Sequence, residues 1–363
     1  SDLHNVKMLV SNEDKAKEIT DTNLERLKKA GDRIAYLKEK MYYPLEVDDI
    51  FLNEDTNIFD IEGAKRQKSR ILQNERTGTP VILYQDEGKV GHDFTDKQPI
   101  TNFPLKNSDL KDAPVVIYEF PIENPPYGLY VAGVDPYRQG QSAYSSSLGS
   151  VYVYKRMHDI TGEKYQDMFV ASYCARPDKK ETWEEQARLL IKYFNARTLC
   201  ENDDISFIEY MKAKGDAHYL EKQPQWLMEV VPNTTVKREY GVHRSSDKIR
   251  DYLHNCLKKY MEEIVHQERD EDGNIIREVI GVNRIFDPVL LEEIIQYNDQ
   301  GNFDRIVAAE LAIAQALKMN PILGKVGGSG DDRVKALYSN KSKNQLFSES
   351  RGLFNSKKRK LFT

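Results

Sequence analysis

The chain has 363 residues, of which 39% are hydrophobic and 31% are charged, and its formal net charge is -5. This is the composition of a globular protein large enough for one extended domain or two, and no apolar run reaches the length of a membrane span. The negative charge excludes a uniformly basic nucleic-acid binder, and Cys174, Cys200 and Cys256 are too far apart for a disulfide framework or a paired zinc site.

Residues 1–125 are predicted to form an irregular N-terminal extension. A helix is expected over 23–40, where four aliphatic residues share one helical face, namely Leu24, Leu27, Ile34 and Leu37. The segment 41–60 is typical of a turn followed by a short helix. Residues 78–125 are rich in Pro, Asp and Lys, which favours loops or short edge strands.

A compact α/β domain is predicted over 126–323. It opens on GLYVAGVD, an apolar run typical of a strand in the middle of a sheet. The runs GSVYVYKRM and DMFVASYCARP predict two further strands, and the polar turn between them favours an antiparallel meander. The pattern then predicts helices at 181–195 and 205–215 and strands in TLCEN and WLMEVVP.

The end of this domain is predicted to be mainly helical. A long amphipathic helix is expected over 245–264, capped by Ser245 or Ser246, followed by a hairpin that turns at Asp272-Gly273. Two more helices are expected in DPVLLEEIIQYN and DRIVAAELAIAQALKM, and the second is apolar enough to pack on the sheet. Residues 324–363 are expected to form a flexible Gly-rich linker and a basic tail, which either solubilises the chain or docks on a partner.

Three acidic residues lie at the ends of these elements: Asp135 after the first strand, Glu201 after a later strand, and Asp304 at the start of the last helix. Each alone has a structural explanation, as a turn residue, a capping loop or an N-cap. The predicted strand order allows all three positions to be neighbours in space. Mg²⁺ and Mn²⁺ prefer such oxygen ligands, and two ions roughly 3.5 to 4 Å apart promote phosphodiester hydrolysis.

Three short motifs resemble those of the RNase H-like nucleases, and more narrowly the C-terminal nuclease domain of the large terminase subunit of tailed phages. They are Gly133-Val134-Asp135, Glu201-Asn202 and the helix-opening Asp304. The segment 240–257 is similar to the family's loop and lysine before a helix. The segment 39–60 resembles the end of the family's ATPase domain, so this chain looks like the nuclease half of a longer protein.

The resemblance implies an RNase H-like mixed central sheet flanked by helices, and a metal-dependent endonuclease that cuts double-stranded DNA during phage genome packaging. Asp135, Glu201 and Asp304 would be the catalytic residues that hold two Mg²⁺ or Mn²⁺ ions. Many members have two adjacent acids at the helix start, where this chain has Phe303-Asp304-Arg305. The candidates for a replacement fourth ligand are Asp203 and, alternatively, Asp204 or Asp299.

Five basic residues are candidate contacts to DNA phosphates: Arg138, Lys237, Arg238, Arg244 and Lys248. No GxxxxGK[ST] phosphate loop is present in the sequence, so no nucleotide is expected. The resemblance implies double-stranded DNA, the portal protein and the small terminase subunit as partners. No membrane partner is expected, because no apolar run is long enough to span a membrane. The resemblance places the protein in the cytoplasm of the infected bacterial host and transiently at the procapsid portal.

Two other functions remain open from the sequence. An actin-like or sugar-kinase-like phosphotransferase also has an acid after its first strand, but it requires a second Gly-rich phosphate loop. A non-catalytic module that docks on DNA or on the portal would use the same acids only for structure. Nucleotide binding and metal-dependent nicking of plasmid DNA distinguish these possibilities from the nuclease.

Overall fold

The computed structural model describes most of the chain, which forms two compact units. The described residues are 13–30, 36, 39, 43, 57–74, 78–106, 109–138, 147–158, 166–231, 238–270, 273–298 and 301–319. The smaller unit comprises residues 1–57 and 297–301, and the larger unit comprises residues 58–296 and 302–363.

The smaller unit contains helix α1, which spans Glu13–Ala30. Thr20 and Leu24 are buried one turn apart, whereas Glu25 is exposed. A helix is therefore present where the sequence predicts one over 23–40, but it begins earlier, and residues 36 and 39 are also helical. Most of the segment 41–60 lies outside the described residues.

The larger unit contains nine named strands and seven further α-helices within its described ranges. The strands are β1 (Thr79–Asp86), β2 (Lys89–Phe94), β3 (Val115–Ile117), β4 (Tyr130–Asp135), β5 (Gly149–Lys155), β6 (Met168–Ala175), β7 (Arg197–Cys200), β8 (Ile264–Arg269) and β9 (Ile275–Ile280). The helices are α2 (Ile61–Gln73), α3 (Lys180–Tyr193), α4 (Ser206–Ala213), α5 (Trp226–Val230), α6 (Asp247–Glu262), α7 (Pro288–Gln296) and α8 (Asp304–Lys318).

Seven of these strands form one mixed sheet in the order β2-β1-β3-β6-β5-β4-β7. The strands β4, β5 and β6 are antiparallel neighbours, which confirms the predicted meander, and β7 runs parallel to β4. An α/β fold with a mixed central sheet flanked by helices is thus confirmed. Because β4 and β7 are parallel neighbours, their carboxyl ends lie at the same edge of the sheet.

The centre of the sheet is covered on both faces. Every residue of β4, β5 and β6 is buried, which explains their continuous apolar sequences. On one face, α3 stacks Trp183 on Tyr173, with 6.3 Å between the ring centroids. A Cβ built on Gly149 would collide with Trp183, so the glycine allows α3 to approach β5.

On the opposite face, helix α8 lies close against β4 because the residues in contact are small. A Cβ built on Gly133 would lie 1.9 Å from the carbonyl oxygen of Ala308 and 2.5 Å from the amide nitrogen of Ala312. Residues 304–316 of α8 are all buried. The apolar sequence of this helix therefore reflects burial against the sheet, as predicted.

The segment 58–125 is more regular than the predicted irregular extension. Strands β1, β2 and β3 come from this segment, and β3 pairs with β6, so they extend the central sheet. Helix α2 also belongs to the larger unit, where the Gln67 side chain donates a hydrogen bond to the Ile285 carbonyl at 3.0 Å. In β1, buried Val81 and Leu83 alternate with exposed residues, and this half-exposed pattern is a weaker signal than the fully apolar strands give.

One predicted strand is wrong and one predicted hairpin is confirmed. The run WLMEVVP contains the short helix α5, in which Trp226 and Leu227 are buried. A short apolar run does not distinguish a strand from a buried helix. The predicted hairpin is formed by β8 and β9, and Gly273 in their connection has a φ of 86°.

The predicted linker and tail, residues 324–363, lie outside the described part of the chain. Among the helices in the described ranges, none is both long and apolar enough to cross a membrane.

Candidate functional site

Asp135 and Glu201 lie side by side at the carboxyl edge of the sheet. Asp135 is the last residue of β4, and Glu201 directly follows β7. Val134 is opposite Cys200 in the parallel register, and the Glu201 amide donates a hydrogen bond to the Val134 carbonyl at 2.8 Å. Because paired residues of neighbouring strands share a face, both carboxylates belong to the same face of the sheet.

Helix α8 brings Asp304 to this edge. Gly133 is two residues before Asp135, on the same face, and it faces Ala308 of α8. Asp304 precedes Ala308 by about one helical turn. Its buried carboxylate accepts hydrogen bonds from the Leu148 amide at 2.6 Å and from the Asn302 side chain at 2.9 Å. The three predicted acids therefore converge at one edge of the sheet.

The carboxylate of Asp304 is not the N-cap of its helix, which was its structural alternative. Glu293 of α7 takes that role, because its Oε2 accepts hydrogen bonds from the amides of Arg305 at 3.0 Å and Ile306 at 3.3 Å. Glu293 also binds the Arg305 guanidinium, with 2.9 Å between Oε1 and Nη1. The Asp304 side chain is instead directed to the start of β5.

Burial raises the pKa values of all three acids, and repulsion by the other two acids adds to this shift for Asp135. Burial, and then the negative charges of Glu201 and Asp304, raise the pKa of Asp135 well above its ordinary value. Burial raises the pKa of Glu201 to about 7, although the Arg244 cation opposes this shift. Burial also raises the pKa of Asp304 to about 6, although its hydrogen bonds oppose the shift. The carboxyl groups of Asp135 and Glu201 interact directly and titrate as a pair, with the shared proton favouring Asp135.

The candidates for a fourth ligand have different surroundings. Asp203 is close enough to Glu201 to raise the pKa of that acid, so it lies beside Glu201. Asp204 accepts hydrogen bonds from the Ser206 amide at 2.8 Å and from Lys180 at 3.0 Å, and so it stabilises the start of α4. Asp299 lies outside the described residues.

Of the predicted phosphate contacts, Arg244 interacts electrostatically with Glu201 and Asp135. Burial opposes its charge, but the negative charges of Glu310, Glu201 and Asp135 raise the pKa of Arg244. Its Nη2 lies 2.6 Å from Oε1 of Glu310, and its side chain is only 13% exposed. A fixed cation therefore lies close to the carboxylates.

The other predicted phosphate contacts are less closely tied to the acids. Arg138 and Lys248 are exposed. Arg238 donates a hydrogen bond to the Asn202 carbonyl at 2.6 Å, so it supports the segment that follows Glu201. Lys237 lies outside the described residues. Sequence reasoning missed Arg176, which donates to the Ser147 carbonyl at 2.9 Å and thereby supports the segment that binds Asp304.

Sequence reasoning also missed Glu310 and its partner His254, which lie 2.6 Å apart. The signal available was Glu310 itself, because it is the lone acid within an otherwise apolar stretch of α8, and acids are almost never fully buried unless they are paired. The identity of its partners could not be read from the sequence, since they are distant along the chain.

The chemistry of the donor set fits a hard divalent cation. Asp135, Glu201, Asp304 and Asp203 offer only oxygen atoms, which suit Mg²⁺ and Mn²⁺. Within the described ranges, no three His, Cys, Asp or Glu side chains have the spacing of a site for one ion. The carboxylates are instead bound by groups of the protein: Asp304 accepts a hydrogen bond from the Leu148 amide, and Asp135 and Glu201 interact with each other.

The metal-free protein is expected to lose stability as the pH rises from about 4 to about 8. The pKa values of Glu201 and Asp304 are about 7 and about 6 in the folded protein, above their ordinary values of 4.5 and 3.8. The folded state therefore binds more protons than the unfolded state in this range, so stability falls as the pH rises through the folded-state values. We expect a loss on the order of 1 to 3 kcal/mol.

Thermal melts in a chelator across this pH range measure the loss, with Asp135→Asn as the comparison. The variant lacks one member of the cluster, so its melting temperature should depend less on pH. An identical pH dependence in the two proteins would contradict the clustering of these acids.

Two buried acids, Asp135 and Asp304, the half-buried Glu201 and one fixed arginine offer the kinds of groups that suit cations and a phosphate ester. No family model, curated protein or solved structure matches the chain.

Proposed function

We propose that this chain is a metal-dependent endonuclease that cleaves double-stranded DNA, with an RNase H-like nuclease domain. The observation that carries the proposal is the convergence of Asp135, Glu201 and Asp304, which come from elements far apart in the sequence. The antiparallel meander followed by a parallel fourth strand supports the RNase H-like arrangement.

The three site acids differ from two other buried acids, each of which is paired with a cation. Glu293 is paired with Arg305, and Asp216 is paired with Arg188 and Lys192. Among the described residues, Asp135, Glu201 and Asp304 form no salt bridge. Burying a carboxylate without a counter-cation is costly, so the absence of a salt bridge at the buried Asp135 and Asp304 favours a site that binds an external cation.

Asp135, Glu201 and Asp304, with Asp203 beside them, would hold the divalent ions. Two bound ions would supply an activated water and charge stabilisation at the leaving oxygen. The protein's own contribution is to fix the carboxylates on rigid elements: the ends of two central strands and the first turn of a buried helix. Arg244 would add a positive charge toward the DNA phosphate.

The setting of this activity is part of the same proposal. We infer that the enzyme acts on DNA during phage genome packaging, as the large terminase subunit does, in the cytoplasm of the infected bacterium and transiently at the procapsid portal. The portal protein and the small terminase subunit would be its partners. These inferences rest on the sequence resemblance.

A nicking assay tests the activity. Supercoiled plasmid should be converted to nicked and linear forms with Mn²⁺ or Mg²⁺, and a chelator should stop the reaction. Protein that binds no Mn²⁺ in calorimetry and leaves the plasmid intact would refute the proposal. Steady ATP hydrolysis that depends on Asp135 would favour the phosphotransferase instead.

Binding of the isolated chain to DNA is expected to be weak, to depend on salt, and to show little sequence preference. The net charge of -5 opposes DNA, so binding depends on local basic groups such as Arg138 and Lys248. The logarithm of the binding constant should fall with the logarithm of the salt concentration, with a slope of about -0.9 per phosphate neutralised. Fluorescence anisotropy in Ca²⁺ at several salt concentrations measures this slope. Salt-insensitive binding to one sequence would contradict this expectation.

A further inference from the structure

Glu310 forms a buried hydrogen-bonded network with Arg244 and His254. It lies in α8, its side chain is fully buried, and its two carboxylate oxygens have different partners. Oε1 lies 2.6 Å from Nη2 of Arg244, and Oε2 lies 2.6 Å from Nδ1 of His254 in α6. The same helix therefore carries Asp304 at its first turn and Glu310 further along.

The backbone that carries Arg244 is tied to the strand that carries Glu201. Val242 forms a parallel bridge with Glu201, its amide donates to the Cys200 carbonyl at 2.9 Å, and its carbonyl accepts from the Asn202 amide at 3.0 Å. Gly241 has a φ of 78°, and a Cβ there would lie 2.3 Å from the Cys200 carbonyl oxygen. The segment that carries Arg244 is thus tied to the end of β7 through the backbone of Val242, and the Arg244 guanidinium is held to α8 by Glu310.

The guanidinium of Arg244 has donor capacity left. Its buried Nε has no hydrogen-bond partner among the described residues. Its positive charge also acts on Glu201 and Asp135. An arginine used only to neutralise Glu310 would have no reason to lie beside a second group of acids. A buried ion pair is, moreover, a poor source of stability, so its presence needs another explanation.

We propose that Glu310 and His254 are positioning residues that fix the Arg244 guanidinium beside the carboxylates, where it contacts the phosphate that is cleaved. This inference rests on the proposed nuclease function. Glu310 binds Nη2 of Arg244 and leaves Nε without a partner among the described residues, and His254 holds the other carboxylate oxygen of Glu310. Arg244 therefore differs from Arg138 and Lys248, which are exposed and would contact flanking phosphates.

The proposal separates two kinds of kinetic effect. A cation fixed before DNA binds acts mainly on the negative charge that develops during the reaction, so its loss lowers kcat. Exposed cations contribute uniformly to binding, so their loss raises KM and reduces the salt dependence. A residue needed only for stability would change the fraction of folded protein, but it would leave kcat and KM of the folded protein unchanged.

The test measures single-turnover nicking and DNA affinity in folded protein for Arg244→Lys, Glu310→Gln, Lys248→Gln and Arg188→Lys. Arg188 is the matched control, because it is a buried arginine paired with an acid, Asp216, away from the three carboxylates. We expect Arg244→Lys and Glu310→Gln to slow cleavage by about 100-fold and to change the DNA dissociation constant by less than about threefold. Lys248→Gln should weaken DNA binding alone, and Arg188→Lys should cleave at the wild-type rate.

Two further readouts make the result decisive. Arg244→Ala should regain part of its activity when millimolar guanidinium is added, and all the Arg244 and Glu310 variants should still bind Mn²⁺ in calorimetry. Arg244→Lys retains the positive charge, so it tests the idea even if Glu310→Gln does not fold. Wild-type cleavage rates in both Arg244→Lys and Arg244→Ala would overturn this inference and leave the nuclease function standing. A wild-type protein that neither binds Mn²⁺ nor cleaves DNA would instead refute the nuclease function on which the inference rests.

Discussion

Asp135→Asn, Glu201→Gln and Asp304→Asn are each expected to abolish detectable cleavage, lowering the rate by roughly 10³-fold or more, while leaving the fold intact or more stable. Each change removes a negative charge that a divalent ion would need. Each also removes a carboxylate whose pKa is raised by burial in the metal-free protein, and each change relieves repulsion at Asp135. Loss of activity should therefore accompany a melting temperature equal to or above that of the wild type.

Melting temperatures with and without Mn²⁺ provide the second half of this test. An ion that binds only the folded state raises the melting temperature, so the wild type should be stabilised by Mn²⁺ and the three variants should not. Asp204→Asn is a matched control, because this nearby carboxylate is already bound by Lys180. That variant should lose stability and keep both Mn²⁺ binding and cleavage. Full activity in any of the three site variants would disprove the site assignment.

The central part of the fold could be predicted because its sequence signals are strong and local. The buried strands β4, β5 and β6 are continuous apolar runs, and α8 is a long apolar helix. The added strands β1–β3 were predicted only as loops or short edge strands. Their pairing is with residues distant in the chain, such as Val116 with Ser172, which local patterns do not reveal.

The candidate site could likewise be predicted only in part. The positions of Asp135, Glu201 and Asp304 at the ends of recognisable elements were enough to predict that they converge. The network around Glu310 was not predictable, because Arg244 and His254 reach it from a loop and from another helix. The same holds for Glu293, whose side chain caps α8 from the end of α7. Long-range side-chain contacts of this kind depend on packing, which motif reading does not specify.

Gly133 explains why the first motif has a glycine two residues before its acid. Asp135 and Gly133 share one face of β4, and that face meets α8. The glycine lets the backbones of strand and helix approach closely, and this approach places Asp304 near Asp135. Any side chain at position 133 would separate the two elements that carry these carboxylates.

Gly133→Ala is therefore expected to damage both the fold and the site. The new Cβ would lie 1.9 Å from the Ala308 carbonyl oxygen, which is a backbone atom that no rotamer change can move away. Overpacking of this kind costs about 3 kcal/mol or more, and α8 must shift outward with Asp304. We expect a lower melting temperature and, in the protein that remains folded, loss of both Mn²⁺ binding and cleavage.

Gly78→Ala is the control that separates loss of stability from loss of the site. The atoms nearest to a Cβ at Gly78 belong to the side chains of Val116 and Tyr118, near the opposite edge of the sheet, at 2.4 Å and 2.7 Å. This variant should also be destabilised, because its core is overpacked, but its carboxylates should keep their spacing. Denaturant unfolding and Mn²⁺ calorimetry on both variants compare the two losses directly. If Gly133→Ala bound Mn²⁺ as tightly as Gly78→Ala, the close contact between β4 and α8 would not be what brings Asp304 to Asp135.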